Sequence, residues 1–214
     1  MNGLMTELSN ELGCDKSTYH QYTQIYSMFL DKFRNEDISF FEIGYGDGCS
    51  YRIWERYFKV AKIYSMDIGY NSITDRGEVF LGDQSIMSDL IEISSKIDNC
   101  KIIIDDGSHH PTHQLMGFEY LFQNLLQEEG VYIIEDIECS YWRPDVKLTG
   151  AYTSNYVNII DYFTKYNHEI NHHYNLYSNP LNIKTITFSP NCIIIQKGNE
   201  IDKIEREYKL KEFL

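Results

Sequence analysis

The chain has 214 residues, enough for one well-buried domain with a small additional segment. Its formal net charge of −13, from 32 acidic and 19 basic residues, argues against a nucleic-acid partner, because no surplus of Lys and Arg exists to displace phosphate counterions. The five cysteines form no C-x-x-C pair, so neither a disulfide framework nor a structural zinc site is expected, and a cytoplasmic location is favoured. The sequence begins with no signal-peptide pattern, and no apolar run approaches the ~20 residues that a membrane span requires.

Hydrophobic periodicity predicts strands that alternate with helices along most of the chain. Apolar residues recur at intervals of three and four between positions 18 and 33, which predicts an amphipathic helix before the first strand. Short β-branched runs then predict strands at 38–43, 62–66, 79–81, 101–104 and 130–134. Helical patterns follow these strands at 50–58, with Ser50 as a plausible N-cap, and at 84–94, 112–126 and about 152–166.

The last two predicted strands, 183–188 and 192–197, are separated by only three residues. So short a connection permits a hairpin and forbids a parallel crossover. We therefore predict an α/β fold with a doubly wound, mainly parallel, seven-stranded Rossmann-like sheet and an antiparallel C-terminal hairpin, which is the architecture of class I methyltransferases. We expect one domain over 1–214, with an N-terminal helical segment at 1–36 and a C-terminal helical tail at 200–214. Homo-oligomerisation through these two segments is plausible.

A glycine-rich turn follows the first predicted strand. It reads Gly44-x-Gly46-x-Gly48 and is preceded by Glu42. Missing Cβ atoms let backbone N–H groups approach a ligand and permit positive φ angles. The spacing differs from the dinucleotide fingerprint G-x-G-x-x-G and resembles the E/D-x-G-x-G-x-G pattern of S-adenosylmethionine (SAM) enzymes. The turn therefore favours SAM over NAD, and a tight turn without any ligand is the alternative.

Further polar residues at the strand ends extend the predicted cofactor site. Asp67 ends the second strand about 20 residues beyond the turn, where it could accept hydrogen bonds from both ribose hydroxyls. Asp83 and Gln84 follow the third strand and could contact the adenine edge. Asp105, at the end of the fourth strand, is also expected to face the cofactor. For Asp67 alone, a solvated turn residue or a helix cap is an equally good interpretation.

Two apolar runs about thirty residues apart each end in a pair of acidic residues. Asp105 and Asp106 follow the run at 102–104, and Glu135 and Asp136 follow the run at 131–134. Four carboxylates on neighbouring parallel strands would repel each other unless protons or a cation intervened. The pattern therefore predicts a divalent metal site with His109 beside it. As an alternative, Asp105 and Asp106 could only cap the next helix, which begins after Pro111.

Several segments of the chain resemble the metal-dependent sugar O-methyltransferases of macrolide tailoring. They are DKSTYHQY near the N-terminus, FFEIGYGDGCSYRIWERYF, YSMDI, IIIDDGSHHPTHQ and YIIEDIECSYW. The resemblance implies that Asp106, Glu135 and Asp136 hold Mg²⁺ and that His109 is the general base that deprotonates a sugar hydroxyl. Carboxylate oxygens are suitable ligands for this hard ion. The catalytic residues expected on this basis are His109 and Asp106.

Other residues near these motifs have less specific interpretations. His110 and His113 are spaced like metal ligands, but with carboxylates available they are expected to orient the base or to lie on the helix surface. Tyr141 and Trp142 could stack on a sugar ring, and packing in the core is an equally good interpretation. We expect the loops 137–150 and 167–182 to select the substrate.

The combined motifs predict a Mg²⁺-dependent SAM O-methyltransferase that modifies a sugar or glycoside hydroxyl. The acceptor would be a small molecule or glycan with vicinal hydroxyls that chelate the ion. A catechol-type O-methyltransferase uses the same metal chemistry and is the first alternative. A catalytically silent SAM-binding subunit is the second, and an NAD-dependent oxidoreductase is disfavoured by the glycine spacing.

Overall fold

The computed structural model describes residues 3–141, 157–172 and 177–199. The helices, numbered in chain order, are α1 (Leu4–Leu12), α2 (Asp15–Thr18), α3 (Tyr22–Leu30), α4 (Cys49–Tyr57), α5 (Met87–Ser94), α6 (Pro111–Asn124), α7 (Ile159–Thr164) and α8 (Asn167–Ile170). The strands are β1 (Ser39–Ile43), β2 (Lys62–Asp67), β3 (Ser72–Thr74), β4 (Gly77–Leu81), β5 (Cys100–Asp105), β6 (Val131–Glu135), β7 (Ile183–Ser189) and β8 (Cys192–Lys197). Short 3-10 helices span Asp31–Phe33 and Ile137–Tyr141.

One sheet organises the described part of the chain, with the strand order β3-β4-β2-β1-β5-β6-β8-β7. Strands β1, β2, β4, β5 and β6 are parallel, whereas β8 pairs antiparallel with β6 and with β7. The predicted mainly parallel sheet with an antiparallel C-terminal hairpin is confirmed. The predicted number of seven strands is wrong, because the short strand β3 pairs antiparallel with β4 at the edge and makes eight.

Both faces of the sheet are covered by helices. Alternate residues of a strand point to opposite faces, and in β5 the side chains of Ile102, Ile103 and Ile104 are all fully buried. Ile103 packs with residues of α5 and α6 on one face. Ile102 and Ile104 pack with residues of α1, α3 and α4 on the other face. Burial on both faces explains why the central strands read as continuous apolar runs.

The helical segment before the sheet differs from its prediction. A continuous helix over 18–33 is wrong, because α2 ends at Thr18 and α3 begins only at Tyr22. Gln21 lies between them in the left-handed region, with φ 59°. Tyr19 continues the spacing of the buried tyrosines of α3 but is itself 80% exposed, so periodicity could not reveal the break.

Two helix starts also differ from the predictions. Gly48, with φ 74°, is the N-cap of α4, and the hydroxyl of Ser50 instead donates to Glu42 at 2.8 Å. At α6, the ring of His110 accepts a hydrogen bond from the backbone of Thr112, and proline takes the first helical position. The alternative that Asp105 or Asp106 caps this helix is therefore wrong.

The remaining elements lie close to their predicted positions where the structure describes them. The helix predicted at about 152–166 is α7 within the described residues, and its predicted first turn falls outside them. Trp142 and the predicted tail 200–214 also lie outside the described residues. Within residues 3–141, 157–172 and 177–199, we find no helix with both the length and the apolar character that a membrane crossing requires.

Candidate active site

The carboxyl ends of β1, β5 and β6 meet at one edge of the sheet because these strands are parallel neighbours. This edge brings together Asp106, His109 and Asp136, whose potential ligand atoms all lie within 4.8 Å of one another. Nε2 of His109 is 3.6 Å from Oδ2 of Asp136. The predicted grouping of acidic residues around a histidine is thus present in the structure.

His109 and Asp136 share a backbone conformation that side-chain-bearing residues rarely adopt. Their φ angles are 54° and 53°, in the left-handed region. This conformation is unfavourable for residues with a Cβ, and it persists where the surrounding structure enforces it. Asp136 directly follows β6 and His109 lies in the loop after β5, and their side chains meet where the two strands end.

Hydrogen bonds from two distant segments hold the side chain of Asp136. The hydroxyl of Tyr22 and the amide Nδ2 of Asn191 each donate to Oδ1 of Asp136 at 2.8 Å. Nδ1 of His20 lies 3.4 Å from the same oxygen. Tyr22 comes from α3 and Asn191 from the β7–β8 turn, so the N-terminal helices and the hairpin both orient this carboxylate.

Lys16 lies among the carboxylates and is only 2% exposed. Its Nζ is 2.8 Å from Oδ2 of Asp106, 2.7 Å from both carboxylate oxygens of Glu135 and 3.9 Å from Oε1 of Glu42. Burial alone would lower the pKa of this ammonium, but the charges of the carboxylates outweigh it and raise the pKa well above its ordinary value. Lys16 is therefore a charged, internal partner of the acidic cluster.

The structure places Glu135 differently from the other two predicted metal ligands. Glu135 is 1% exposed and its two oxygens contact Lys16, whereas Asp106 and Asp136 lie at the partly open cluster with His109. Its assignment as a metal ligand stays a prediction.

Sequence reasoning did not single out Lys16, His20, Tyr22 and Asn191 as site residues. The first three lie in the segment DKSTYHQY, which carried part of the family resemblance, so this segment was the available signal. A second signal was electrostatic, because four clustered carboxylates require a nearby cation. Nothing in the sequence points to Asn191.

The glycine turn packs directly against the acidic cluster. Gly44, Gly46 and Gly48 all have positive φ angles. A Cβ on Gly44 would lie 2.1 Å from the carbonyl oxygen of Asp106, so only glycine fits between β1 and β5 at this point. A cavity of about 220 Å³ beside the turn is lined by Gly44 and by the predicted cofactor residues Asp67, Asp83 and Gln84.

Asp67 is bound to the turn itself in this structure. Its Oδ2 accepts hydrogen bonds from the backbone of Tyr45 and Gly46, both at 3.1 Å, and its Oδ1 accepts one from Gly69 at 2.8 Å. A carboxylate has about four acceptor positions, so these bonds leave capacity for a further donor. Asp67 lies at the cavity as predicted, and its contact with a ribose stays a prediction.

Asp105 and Glu42, two other predicted cofactor residues, are buried and do not line this cavity. Gln84 Nε2 donates to both oxygens of Asp105, at 2.8 and 2.7 Å, and burial raises the pKa of Asp105 to about 6. Glu42 is completely buried and accepts hydrogen bonds from Ser50 and from Trp54 Nε1. The structure does not bring the carboxylates of Asp105 and Glu42 to the cavity surface, and cofactor contact by them stays a prediction.

Two further cavities adjoin the cluster. One, of about 400 Å³, lies on the other side of the glycine turn and is lined by Lys16, Asp106 and Arg52, among others. The second, of about 590 Å³, is an open groove whose lining includes Tyr19, Tyr141 and Phe188. Tyr141 is 65% exposed, so its interpretation as a core residue is wrong.

His110 and His113 lie beside the cluster and are not members of it. Their rings stack with a centroid separation of 4.4 Å, and His113 Nδ1 is 3.0 Å from the hydroxyl of Ser108. Partial burial lowers the pKa of both rings. His110 and His113 therefore support the loop that carries His109.

The curated proteins to which the chain is similar include several named O-methyltransferases. No protein-family model matches the chain. It is 35% identical over 139 residues to 8-demethyl-8-alpha-L-rhamnosyl tetracenomycin-C 2'-O-methyltransferase of Streptomyces olivaceus, which covers 61% of this chain and 36% of that protein. It is 32% identical over 148 residues to mycinamicin VI 2''-O-methyltransferase of Micromonospora griseorubida, covering 64% and 37%. The matches thus span little more than a third of the length of these relatives.

Solved structures extend the similarity over nearly the whole chain. The structure of MycE methyltransferase from the mycinamycin biosynthetic pathway in complex with Mg and SAH superposes with a TM-score of 0.80 at 27% identity, covering 93% of this chain and 55% of that chain. Its complex with Mg, SAH and mycinamycin VI gives a TM-score of 0.81 at 26% identity, covering 92% and 54%. The fold is that of the class I methyltransferases, and the resemblance to sugar O-methyltransferases is confirmed.

Proposed function

We propose that the chain is a Mg²⁺-dependent, SAM-dependent O-methyltransferase that acts on a hydroxyl group of a sugar or glycoside. The observation that carries the proposal is the convergence of Asp106, His109 and Asp136 directly beside the glycine turn. This arrangement would supply a cation site, a base and a cofactor turn at one edge of the sheet. The similarity to named sugar O-methyltransferases supports the same activity.

The glycine turn and the cavity beside it would hold the cofactor. The turn fits a ligand that approaches the backbone closely, because Gly44, Gly46 and Gly48 have positive φ and no protein atom lies within 4 Å of the Cβ position at Gly46. SAM would supply a methyl group on a sulfonium centre. Asp67 would accept a hydrogen bond from a ribose hydroxyl at its remaining acceptor position, and Gln84 would support the cavity through its bonds to Asp105.

Asp106 and Asp136 would hold the metal ion, with Glu135 as the third proposed ligand. Their oxygens are hard donors that suit Mg²⁺, and the hydrogen bonds from Tyr22 and Asn191 keep Asp136 oriented. The bound ion would lower the pKa of the acceptor hydroxyl and orient vicinal hydroxyls.

His109 is the proposed general base. Its Nε2 faces the cluster, 3.6 Å from Oδ2 of Asp136, so this nitrogen would take the proton of the acceptor hydroxyl. Asp136 would stabilise the resulting imidazolium by its charge.

We propose that the acceptor is a sugar hydroxyl of a glycosylated small molecule. The named relatives modify glycosylated compounds, and one MycE structure contains mycinamycin VI. The exposed rings of Tyr19, Tyr141 and Phe188 in the open groove offer faces on which a sugar or an apolar aglycone can stack. The five cysteines are free thiols, which supports the cytoplasm as the proposed location.

The proposal is tested first by binding and then by turnover. Calorimetry with S-adenosylhomocysteine (SAH), and with NAD as the control ligand, should show binding of SAH only. Methyl transfer is then measured with labelled SAM, Mg²⁺ and either mycinamycin VI or a catechol. Transfer to the glycoside supports the proposal, whereas transfer to the catechol alone favours the catechol-type alternative.

Variants test the assigned roles. His109→Ala should lower kcat by about 100-fold or more, because a positioned base contributes that much. Asp106→Asn should have an effect of similar size because it removes the charge of a proposed metal ligand. Both variants should retain SAH binding. Glu92→Gln, which changes an exposed carboxylate of α5 in a surface ion pair with Lys96, is the matched control and should keep wild-type activity. Full methyl transfer by either site variant would contradict the mechanism, and SAH binding without transfer to any acceptor would favour a silent binding subunit.

A further inference from the structure

Lys16 has all of its hydrogen-bonding capacity satisfied by the acidic cluster. An ammonium group has three donors, and three carboxylate oxygens lie within 2.8 Å of Nζ, namely Oδ2 of Asp106 and both oxygens of Glu135. The side chain is buried, so water does not compensate for a lost partner. Loss of any of these contacts would therefore leave a buried charge without a partner.

The contacts of Lys16 join parts of the chain that are far apart in sequence. Lys16 lies in α2, whereas Asp106 and Glu135 lie 90 and 119 residues further along at the ends of β5 and β6. Within the described part of the chain, Lys16 is the lysine or arginine that pairs with Glu42, Asp106 and Glu135. If its charge were removed, these three carboxylates would lie close together without that cation. Such groups destabilise the fold or take up protons.

Two of the three proposed metal ligands, Asp106 and Glu135, contact Lys16. Oδ2 of Asp106 contacts Nζ at 2.8 Å, and Asp106 is also a member of the group with His109 and Asp136. A divalent ion held by Asp106 would therefore lie close to the buried ammonium charge of Lys16. Like charges at such a distance repel strongly.

We propose that Lys16 is a resident counter-cation that stabilises the acidic cluster of the metal-free protein and lowers its affinity for the divalent ion. This inference rests on the proposed function, because it concerns the same metal site. Lys16 is thus a positioning residue that sets how readily the ion is bound and released. Removal of its charge should destabilise the metal-free protein and tighten metal binding.

The test compares Lys16→Met with Lys96→Met in the full chain. The second variant removes an exposed lysine from its surface ion pair with Glu92 and is the matched control. Binding of MgCl₂ is measured by calorimetry without SAM or acceptor, and thermal unfolding is followed in the presence of a chelator. We expect Lys16→Met to bind Mg²⁺ about tenfold more tightly than wild type, since one nearby positive charge is lost. We also expect its melting temperature in chelator to fall, while Lys96→Met matches wild type in both measurements.

A second measurement does not depend on whether Lys16→Met folds. In wild-type protein labelled with ¹⁵N-lysine, the buried ammonium of Lys16 should give an NMR signal protected from solvent exchange. This signal should shift when MgCl₂ is added, whereas the backbone amide signal of Lys96 should not. A Lys16 signal that does not respond to saturating Mg²⁺ would overturn the inference.

The outcomes separate this inference from the proposed function. If wild type binds Mg²⁺ and Lys16→Met binds it equally or more weakly, the counter-cation role is wrong and the metal site stands. If neither protein binds Mg²⁺, both the inference and the metal part of the proposed function are wrong. SAH binding then reports separately on the cofactor part.

Discussion

Glu42 carries a fully buried carboxyl group between β1 and α4. Ser50 and Trp54 donate hydrogen bonds to its two oxygens, and Nζ of Lys16 is 3.9 Å away. Burial raises the pKa of Glu42 to about 7, although the Lys16 charge opposes the shift. Between its ordinary pKa and this value the folded protein binds a proton that the unfolded chain releases, so this group makes stability fall as the pH rises.

Glu42→Gln should remove this part of the pH dependence. Relative to the variant, the wild type should lose about 2.5 kcal/mol of unfolding free energy between about pH 5 and about pH 8, because the pKa of Glu42 is about 7 in the folded protein and near its ordinary value in the unfolded chain. Urea unfolding of both proteins at the two pH values gives this difference. Any effect of the glutamine amide on stability that is the same at both pH values cancels in the comparison. Glu92→Gln, which changes an exposed carboxylate, is the control and should follow the wild-type curve. A constant difference between Glu42→Gln and wild type at both pH values would show that Glu42 does not titrate in this range.

Individual residues of the site were predictable where a local pattern fixes their position. A buried parallel strand delivers the residues that follow it to its carboxyl end, so Asp106 and Asp136 could be located from two apolar runs. The direction of a side chain after the strand depends on backbone geometry, and the positive φ at His109 has no sequence signal. The position of Lys16 depends on how α2 packs over the sheet edge, which no local pattern reports.

At the scale of elements, the break between α2 and α3 stores strain at Gln21. This exposed residue has φ 59° and ψ 30°. A left-handed conformation costs about 1–2 kcal/mol for a residue with a Cβ, and glycine does not bear this cost. The break allows α2 to direct Lys16 toward the acidic cluster while α3 packs Tyr22 and Tyr26 into the core.

Gln21→Gly should therefore stabilise the protein. We expect a gain of up to about 1 kcal/mol in unfolding free energy, because relief of the left-handed strain exceeds the added entropy of the unfolded chain. Gln123→Gly, at an exposed position of α6, is the matched control and should destabilise by about 1 kcal/mol. Urea unfolding of both variants measures the two effects. Destabilisation by both substitutions would mean that the side chain of Gln21 stabilises the fold by more than its left-handed backbone conformation costs.

Helices and strands were predictable where the residue composition and the hydrophobic periodicity of a segment indicate the same secondary structure. The β7–β8 hairpin followed from two β-branched runs and a three-residue loop, and the central strands followed from their continuous apolar character. Strand β3 was missed because its three residues are largely exposed, so they carry no burial pattern. β3 pairs with β4 across the short turn at residues 75–76. Its place at the edge of the sheet is a tertiary property that no local pattern reports.

At the scale of the whole molecule, Asp106 connects the proposed cofactor site to the proposed metal site. Its backbone N–H donates to Ile43 at 2.9 Å, and its carbonyl oxygen packs against Gly44 of the turn. Its carboxylate belongs to the cluster with His109 and Asp136. A ligand that fixes the carboxylate of Asp106 therefore also fixes the backbone against which the turn rests.

This connection predicts positive coupling between Mg²⁺ and SAH binding. With Asp106 already ordered by the ion, SAH binding should incur a smaller ordering cost, and its Kd should tighten by about fivefold or more. Calorimetric titration of SAH with saturating Mg²⁺ and with chelator measures this factor. Because coupling is reciprocal, titration of Mg²⁺ with and without SAH must give the same factor. Asp106→Asn should remove the coupling and retain SAH binding, since the backbone contacts of residue 106 do not depend on its charge. Equal Kd values for SAH with and without Mg²⁺ in the wild type would show that the two sites bind independently, despite sharing this residue.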